Sequence, residues 1–187
     1  IIMLTESFID ELIKIVIVGS ANVGKSSIIS RYCNNFFNEN YIPTKCIKLY
    51  DNDPFRIWDI VSDRKYETII SAYYRSSDVM IFVYSHDNYQ SFVDLKSLMH
   101  KIGKDSNGIP TVIIVGTKND LNHNVSKEEV IQFAKSLNEY WDIIKISSVS
   151  SKTGNGISEL FSDILQEHHP KEVISLTSSW YTMQYIP

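Results

Sequence analysis

The sequence is short of the residues that mark several classes of protein. Its 187 residues include only 2 cysteines, Cys33 and Cys46, together with 7 glycines and 5 prolines. Two cysteines cannot build a disulfide framework or a cysteine metal cluster, which makes a reducing compartment the default expectation. Because 43% of the residues are hydrophobic, the composition also excludes an intrinsically disordered chain.

The sequence also lacks an excess of positive charge and a long apolar run. Its formal net charge is −4 at pH 7, which argues against nucleic-acid binding. The longest apolar stretches, at 15–18, 79–84 and 112–115, are far shorter than the roughly 20 residues of a membrane span. We expect a cytoplasmic protein, and we find no lipidation signal. Because the sequence begins with Ile1 rather than Met, we also expect it to be a fragment.

Short apolar runs alternate with amphipathic segments along the chain. The runs at 13–18, 79–84, 111–116 and 143–147 are rich in β-branched residues and lack polar alternation, which is typical of strands buried on both faces. The apolar faces of the predicted helices consist of Phe92, Leu95, Leu98, Met99 and Ile102; of Val130, Phe133, Ala134 and Leu137; and of Ile157, Leu160, Phe161, Ile164 and Leu165. Ser126 and Glu129 form a predicted capping box. This order predicts an α/β domain with a mostly parallel sheet, helices on both faces, and an antiparallel hairpin, 47–50 and 55–59, at its edge.

A phosphate-binding motif directly follows the first predicted strand. Residues 19–26 read G-x-x-x-x-G-K-S, with a strand before them and a helix after them. In such a loop the backbone N–H groups surround the phosphates, the lysine reaches the β- and γ-phosphates, and the serine hydroxyl binds Mg²⁺. The predicted nucleotide-binding residues here are Ala21, Asn22, Val23, Gly24, Lys25, Ser26 and Ser27.

A second motif, Thr117-Lys118-Asn119-Asp120, ends the third apolar run. The Asp120 carboxylate can accept hydrogen bonds from guanine N1–H and the 2-amino group, whereas adenine offers neither donor and leaves the charge unpaired. The stem of Lys118 can lie over the base. After the last predicted strand, the backbone of 150–152 can meet the guanine carbonyl oxygen.

With these motifs in place, the sequence resembles the Ras superfamily of small GTPases, and most of all its Rab branch. The family's N-K-x-D pattern appears as Thr117, Lys118 and Asp120, and its S-A-K pattern as Ser150, Ser151 and Lys152. The resemblance implies a P-loop NTPase fold with a six-stranded sheet, and a Mg²⁺-dependent switch between GTP and GDP. Residues 37–44 resemble switch I. The resemblance makes Phe37 the aromatic residue beside the base, Thr44 a Mg²⁺ ligand with Ser26, and Asp59 a holder of Mg²⁺ through water.

The sequence departs from this family around the γ-phosphate. Ser62 occupies the Gly position of the family's D-x-x-G-Q motif, which makes it a predicted nucleotide-binding residue at the γ-phosphate, and Asp63 occupies the position of its water-orienting Gln. A carboxylate cannot donate a hydrogen bond to the transferring phosphoryl group, and a Cβ at position 62 restricts the backbone. Ala21 replaces another frequent glycine. We predict weak or impaired hydrolysis, with Lys25 and the degenerate Asp63 as the catalytic positions, and largely intact nucleotide binding.

These observations predict a Rab-like guanine-nucleotide switch in vesicle trafficking, which meets effector and exchange-factor proteins through its switch regions. The alternative is a pseudo-GTPase, a protein-interaction module that holds nucleotide structurally or not at all. We assign 1–169 to the G domain and 170–187 to a C-terminal tail or linker, with a second domain beyond it left open. Between Thr44 and Trp58 the chain is several residues shorter than the family pattern, so either the hairpin is shortened or a segment is missing. The five scattered histidines favour surface polar roles over metal binding; they are His86, His100, His123, His168 and His169.

Overall fold

A computed structural model describes residues 12–40, 42–61, 73, 77–103, 110–137 and 141–168. Its six strands are β1 (Ile13–Gly19), β2 (Lys48–Asn52), β3 (Phe55–Asp59), β4 (Val79–Ser85), β5 (Thr111–Thr117) and β6 (Asp142–Ser148). The helices within these residues are α1 (Lys25–Asn34), α2 (Tyr89–Gly103), α3 (Lys127–Ser136) and α4 (Ile157–His168). None of the helices in these ranges has the apolar length that crossing a bilayer requires.

The strands form one sheet in the order β2-β3-β1-β4-β5-β6. All neighbouring pairs are parallel except β2 with β3. This arrangement confirms the predicted mostly parallel sheet with an antiparallel edge strand. The hairpin begins one residue later than predicted and its first strand extends to Asn52. Two residues, Asp53 and Pro54, connect its strands.

Each central strand buries alternate residues against opposite helix pairs. In β1, Ile15 and Ile17 belong to a core with α1 and α4, whereas Val16 and Val18 belong to a core with α2 and α3. The same alternation runs through β4 and β5. Since side chains on a strand point to alternate faces, an uninterrupted apolar run is what a sheet covered on both sides requires. The predicted helix faces are buried or half-buried in these two cores, and Ser126 with Glu129 forms the predicted capping box of α3.

Candidate functional site

A cleft of about 1130 Å³ opens beside the carboxyl ends of the central strands. Its walls come from the loop between β1 and α1, from residues 37–40 and 42–45, and from the loops that follow β5 and β6. In a parallel sheet these loops lie at the same edge, because every strand points the same way. Four segments that are far apart in the sequence are thereby brought around one cavity.

The loop between β1 and α1 has the backbone conformation that its glycines permit. Gly24 has φ +93° and Asn22 has φ +61°, both in the left-handed region. Gly19 has φ +152°, and a Cβ placed there would lie 2.2 Å from the Val83 carbonyl oxygen. The loop therefore needs glycine at 19 for close approach to β4 and at 24 for its turn into α1.

Lys25 opens α1 with its ammonium group turned back into the loop. Its Nζ donates hydrogen bonds to the carbonyl oxygens of Gly19, at 2.9 Å, and of Ser20, at 2.7 Å. Burial lowers the pKa of Lys25 to about 8, and the nearby Asp59 carboxylate opposes that shift. A buried cation next to a cavity is suited to an anionic ligand, because such a ligand supplies the countercharge that water no longer provides.

Three oxygen-bearing side chains meet next to this lysine. The Ser26 hydroxyl donates to Asp59 Oδ2 at 2.6 Å, and it lies 2.9 Å from the Thr44 hydroxyl. Asp59 is fully buried, and its Oδ1 has no hydrogen-bond partner among the described residues. Burial raises the pKa of Asp59, and the Ser26 hydrogen bond and the Lys25 charge partly offset this. Hydroxyl and carboxylate oxygens are the ligands that Mg²⁺ prefers, so this cluster with its unpartnered buried oxygen fits Mg²⁺ and its waters.

The opposite end of the cleft is built around Asp120. Its carboxylate is exposed and accepts a hydrogen bond of 2.5 Å from the Ser150 hydroxyl. The neighbouring Lys118 has φ +55° and pairs with Asp87 at 3.3 Å. The Thr117 hydroxyl donates to the Val23 carbonyl oxygen at 2.5 Å. Its Oγ1 also lies 3.0 Å from the backbone carbonyl oxygen of Tyr84. This end thus presents a carboxylate that accepts hydrogen bonds beside the stem of a lysine.

Arg31 in α1 supports the loop that follows β6. Its guanidinium donates to the carbonyl oxygens of Ser151, at 2.6 Å, and of Lys152, at 2.9 Å. Across the mouth of the cleft, Lys152 forms an ion pair of 3.0 Å with Glu39. The half-buried Phe37 lines the same part of the cleft. The loop after β6 is therefore supported by Arg31 of α1 and by an ion pair with Glu39, which lies in the segment that resembles switch I.

The structure brings most of the predicted residues to one cavity. The lining includes Ala21, Asn22, Gly24, Lys25, Ser26, Ser27, Phe37, Thr44, Thr117, Lys118, Asp120, Ser151 and Lys152. Val23, Asp59 and Ser150 are buried immediately beneath that lining. Ser62 and Asp63 lie outside the described residues, as do His169 and the predicted tail, 170–187.

Several contributors were not predicted from the sequence. The sequence motif predicts a role only for the backbone of 150–152, whereas the Ser150 side chain binds Asp120, and no motif points to Arg31 or Asp87. The expected surface role is wrong for His86, which is buried behind the Asp120 loop. His86 lies one residue after β4, and no local pattern of the sequence predicts its burial, which the neighbouring strands produce.

The comparisons agree with this geometry. The sequence model described as the Ras family matches residues 14–169. The chain is 32% identical over 162 residues to Ras-related protein Rab-1C of Dictyostelium discoideum, covering 81% of this chain and 78% of that protein. It is 27% identical over 184 residues to Ras-related protein SEC4 of Candida albicans, covering 88% and 82%. It is 29% identical over 168 residues to Ras-related protein RabC of Dictyostelium discoideum, covering 83% of each chain.

Proposed function

This chain belongs to the Ras family of small GTPases and is Rab-like, and from that premise we propose that it is a guanine-nucleotide switch with Mg²⁺-dependent binding and slow hydrolysis. As in its relatives, the general function is that of a small GTPase in membrane trafficking. One observation carries the finer proposal. The Ser26–Thr44–Asp59 cluster and the Asp120 carboxylate lie at the two ends of one cleft.

At the phosphate end, binding rests on Lys25 and on the backbone N–H groups at the start of α1. An incoming polyphosphate would take the Lys25 ammonium from the carbonyl oxygens of Gly19 and Ser20, and the helix dipole favours the same charge. Ser26 and Thr44 would bind Mg²⁺ directly, while Asp59 would hold its waters. When bound, Mg²⁺ would neutralise negative charge on the β- and γ-phosphate oxygens.

At the base end, guanine is selected by matched hydrogen bonds. Asp120 would accept from N1–H and the 2-amino group, with the Ser150 hydroxyl fixing the orientation of its carboxylate. Arg31 would keep the backbone of Ser151 and Lys152 in place for the guanine carbonyl oxygen. Adenine would leave a desolvated carboxylate without donors, a mismatch that such sites reject strongly.

Slow hydrolysis follows from the residues near the γ-phosphate. An activating partner accelerates hydrolysis in Ras by about 10⁵-fold, equivalent to roughly 7 kcal/mol of barrier. Much of that gain depends on a Gln that orients water, and this chain has Asp63 there, with Ser62 and Ala21 at two frequent glycine positions. Binding would rest mainly on Lys25, Ser26, Thr44 and Asp120, so the switch would be controlled mainly by nucleotide exchange.

The proposed partners are effector and exchange-factor proteins that dock on the switch regions. The described part of this surface contains the exposed apolar side chains of Phe36, Ile42 and Leu49. Burying such side chains in an interface is favourable. We place this activity in the cytoplasm, at the surface of endomembranes.

The test measures affinity first and chemistry second. We expect saturable binding of GTP and GDP that weakens when Mg²⁺ is chelated, followed by single-turnover hydrolysis slower than the intrinsic rate of Ras, which is about 3–5 × 10⁻⁴ per second. The double variant Ser62→Gly with Asp63→Gln should hydrolyse GTP faster. Absence of saturable binding would favour the pseudo-GTPase alternative, and no acceleration in the double variant would refute the role given to these two residues.

A further inference from the structure

His86 lies behind the loop that carries the guanine-selecting carboxylate. Its backbone N–H donates to the Thr117 carbonyl oxygen at 3.0 Å, where that loop begins. Its own carbonyl oxygen accepts from the Asn124 N–H at 2.7 Å, where the loop ends. We call residues 117–124 the base loop. Each end of this loop therefore forms a backbone hydrogen bond with His86.

The His86 side chain fills the space between β5, β6 and the base loop. Its Nε2 lies 3.1 Å from the Ser148 hydroxyl oxygen. Its ring stacks on the His123 ring, with centroids 4.1 Å apart and planes inclined by 9°. A Cβ placed on Gly116 would lie 2.4 Å from His86 Nε2, so the imidazole touches the strand that leads into the base loop.

We propose that neutral His86 is a positioning residue for guanine binding, and that its protonation opens the base loop and accelerates nucleotide release. The inference rests on the proposed function, since it concerns the site at which Asp120 would hold the base. It adds a control on release that operates from behind the base loop, away from the phosphate end.

The surroundings of His86 are unsuited to a positive charge. The facing groups that can carry charge are His123 from the base loop, Tyr84 from β4, and Asp87 from the following turn, whose carboxylate is already paired with Lys118. From β6, the Ser148 hydroxyl lies within hydrogen-bond distance of the ring. His86 is 4% exposed, and its Nδ1 has no hydrogen-bond partner within the described chain. Burial, assisted by the neighbouring His123, lowers the pKa of His86 to about 4, while Asp87 opposes the shift.

The size of the effect follows from proton linkage. If the base loop must open before the nucleotide leaves, opening exposes His86 and returns its pKa toward the ordinary value of 6.5. Between pH 7.5 and 5.5 the open state then gains protons that the closed state does not. Linkage between these two pKa values gives a roughly tenfold faster release at pH 5.5 than at pH 7.5.

The experiment follows release of a fluorescent GDP analogue, in excess unlabelled GDP and constant Mg²⁺, from pH 5.5 to 7.5. His86→Gln keeps a polar atom within reach of Ser148 but cannot titrate in this range. His100→Gln, on the exposed face of α2, is the matched control. The GDP phosphates titrate equally with all three proteins, so the difference in pH dependence belongs to His86. We expect the tenfold rise in wild type and in His100→Gln, and a flatter profile in His86→Gln.

Equal pH profiles for wild type and His86→Gln would overturn this inference and leave the proposed function intact. Failure of wild type to bind GDP would overturn both. If His86→Gln does not fold, hydrogen–deuterium exchange of GDP-bound wild type decides the matter. After correction for the intrinsic pH dependence of exchange, amides of 117–124 should exchange several-fold faster at pH 5.5, with α4 unchanged. Unchanged exchange in the base loop would refute the proposal.

Discussion

Replacing Lys25 by Met should stabilise the nucleotide-free protein while abolishing nucleotide binding. Burial lowers the pKa of Lys25 from 10.5 to about 8. Each pKa unit corresponds to about 1.4 kcal/mol, so at pH 7 the buried charge costs about 3 kcal/mol relative to the unfolded chain. Methionine removes that cost. It also removes the donors to two carbonyl oxygens, at about 1 kcal/mol each. The net expectation is a gain of about 1 kcal/mol in the free energy of unfolding.

Urea unfolding with and without Mg²⁺ and GDP measures both effects. A ligand present at 1,000 times its Kd stabilises the wild type by about 4 kcal/mol, and we expect less than about 1 kcal/mol for Lys25→Met. The matched control is Lys135→Met, at an exposed lysine in α3, which should alter neither quantity by more than about 0.5 kcal/mol.

The pH dependence gives an independent check of the sign. Because the folded pKa of Lys25 is depressed, the unfolded chain binds more protons between pH 8 and 10.5, and wild-type stability rises with pH through that window. The advantage of Lys25→Met should therefore shrink by about 1 kcal/mol between pH 7 and pH 9. A nucleotide-free variant less stable than wild type by more than about 1 kcal/mol at pH 7 would show that the surroundings stabilise the ammonium, contrary to this reasoning.

Substitutions at three further positions test the two ends of the cleft. Asp120→Asn should lower GDP affinity at least about 100-fold and favour xanthine nucleotides, because two hydrogen bonds to a charged group are lost; retained guanine preference in competition binding contradicts the assignment. Arg31→Ala should speed GDP release about tenfold and Arg31→Lys less, because the guanidinium holds two carbonyl oxygens; equal release rates would exclude that support. Gly19→Ala should cost several kcal/mol in thermal unfolding, because its Cβ would lie 2.2 Å from the Val83 carbonyl oxygen. Gly154→Ala, with φ +86° and open space around its Cβ, is the control and should cost only about 1 kcal/mol.

Local sequence signals predicted the sheet and the loops at its edge. Each central strand is a continuous apolar run because helices cover both faces, and such a run is visible without any tertiary information. The capping box of Ser126 and Glu129 is equally local. The first hairpin strand was placed less well, because β2 is an edge strand with exposed residues and no apolar pattern to define its ends.

Contacts across long sequence separations could not be predicted in this way. Arg31 donates a hydrogen bond to Ser151, which is 120 positions away in the sequence, and no periodicity within either segment predicts that contact. His86 is buried because β5, β6 and the base loop converge on it, which depends on strand order. The meeting of Ser26, Thr44 and Asp59 required a family resemblance as well as the chain's own pattern.

The Thr117 hydroxyl connects the two ends of the cleft. It donates to the Val23 carbonyl oxygen and so links the end of β5 to the phosphate loop. Guanosine and pyrophosphate, offered as separate fragments, would each bind one end of the cleft independently. The whole nucleotide spans both ends, so its second end binds intramolecularly, and its binding free energy should exceed the sum for the two fragments. Under the proposed function, we expect discrimination between bases and discrimination between di- and triphosphate to be coupled.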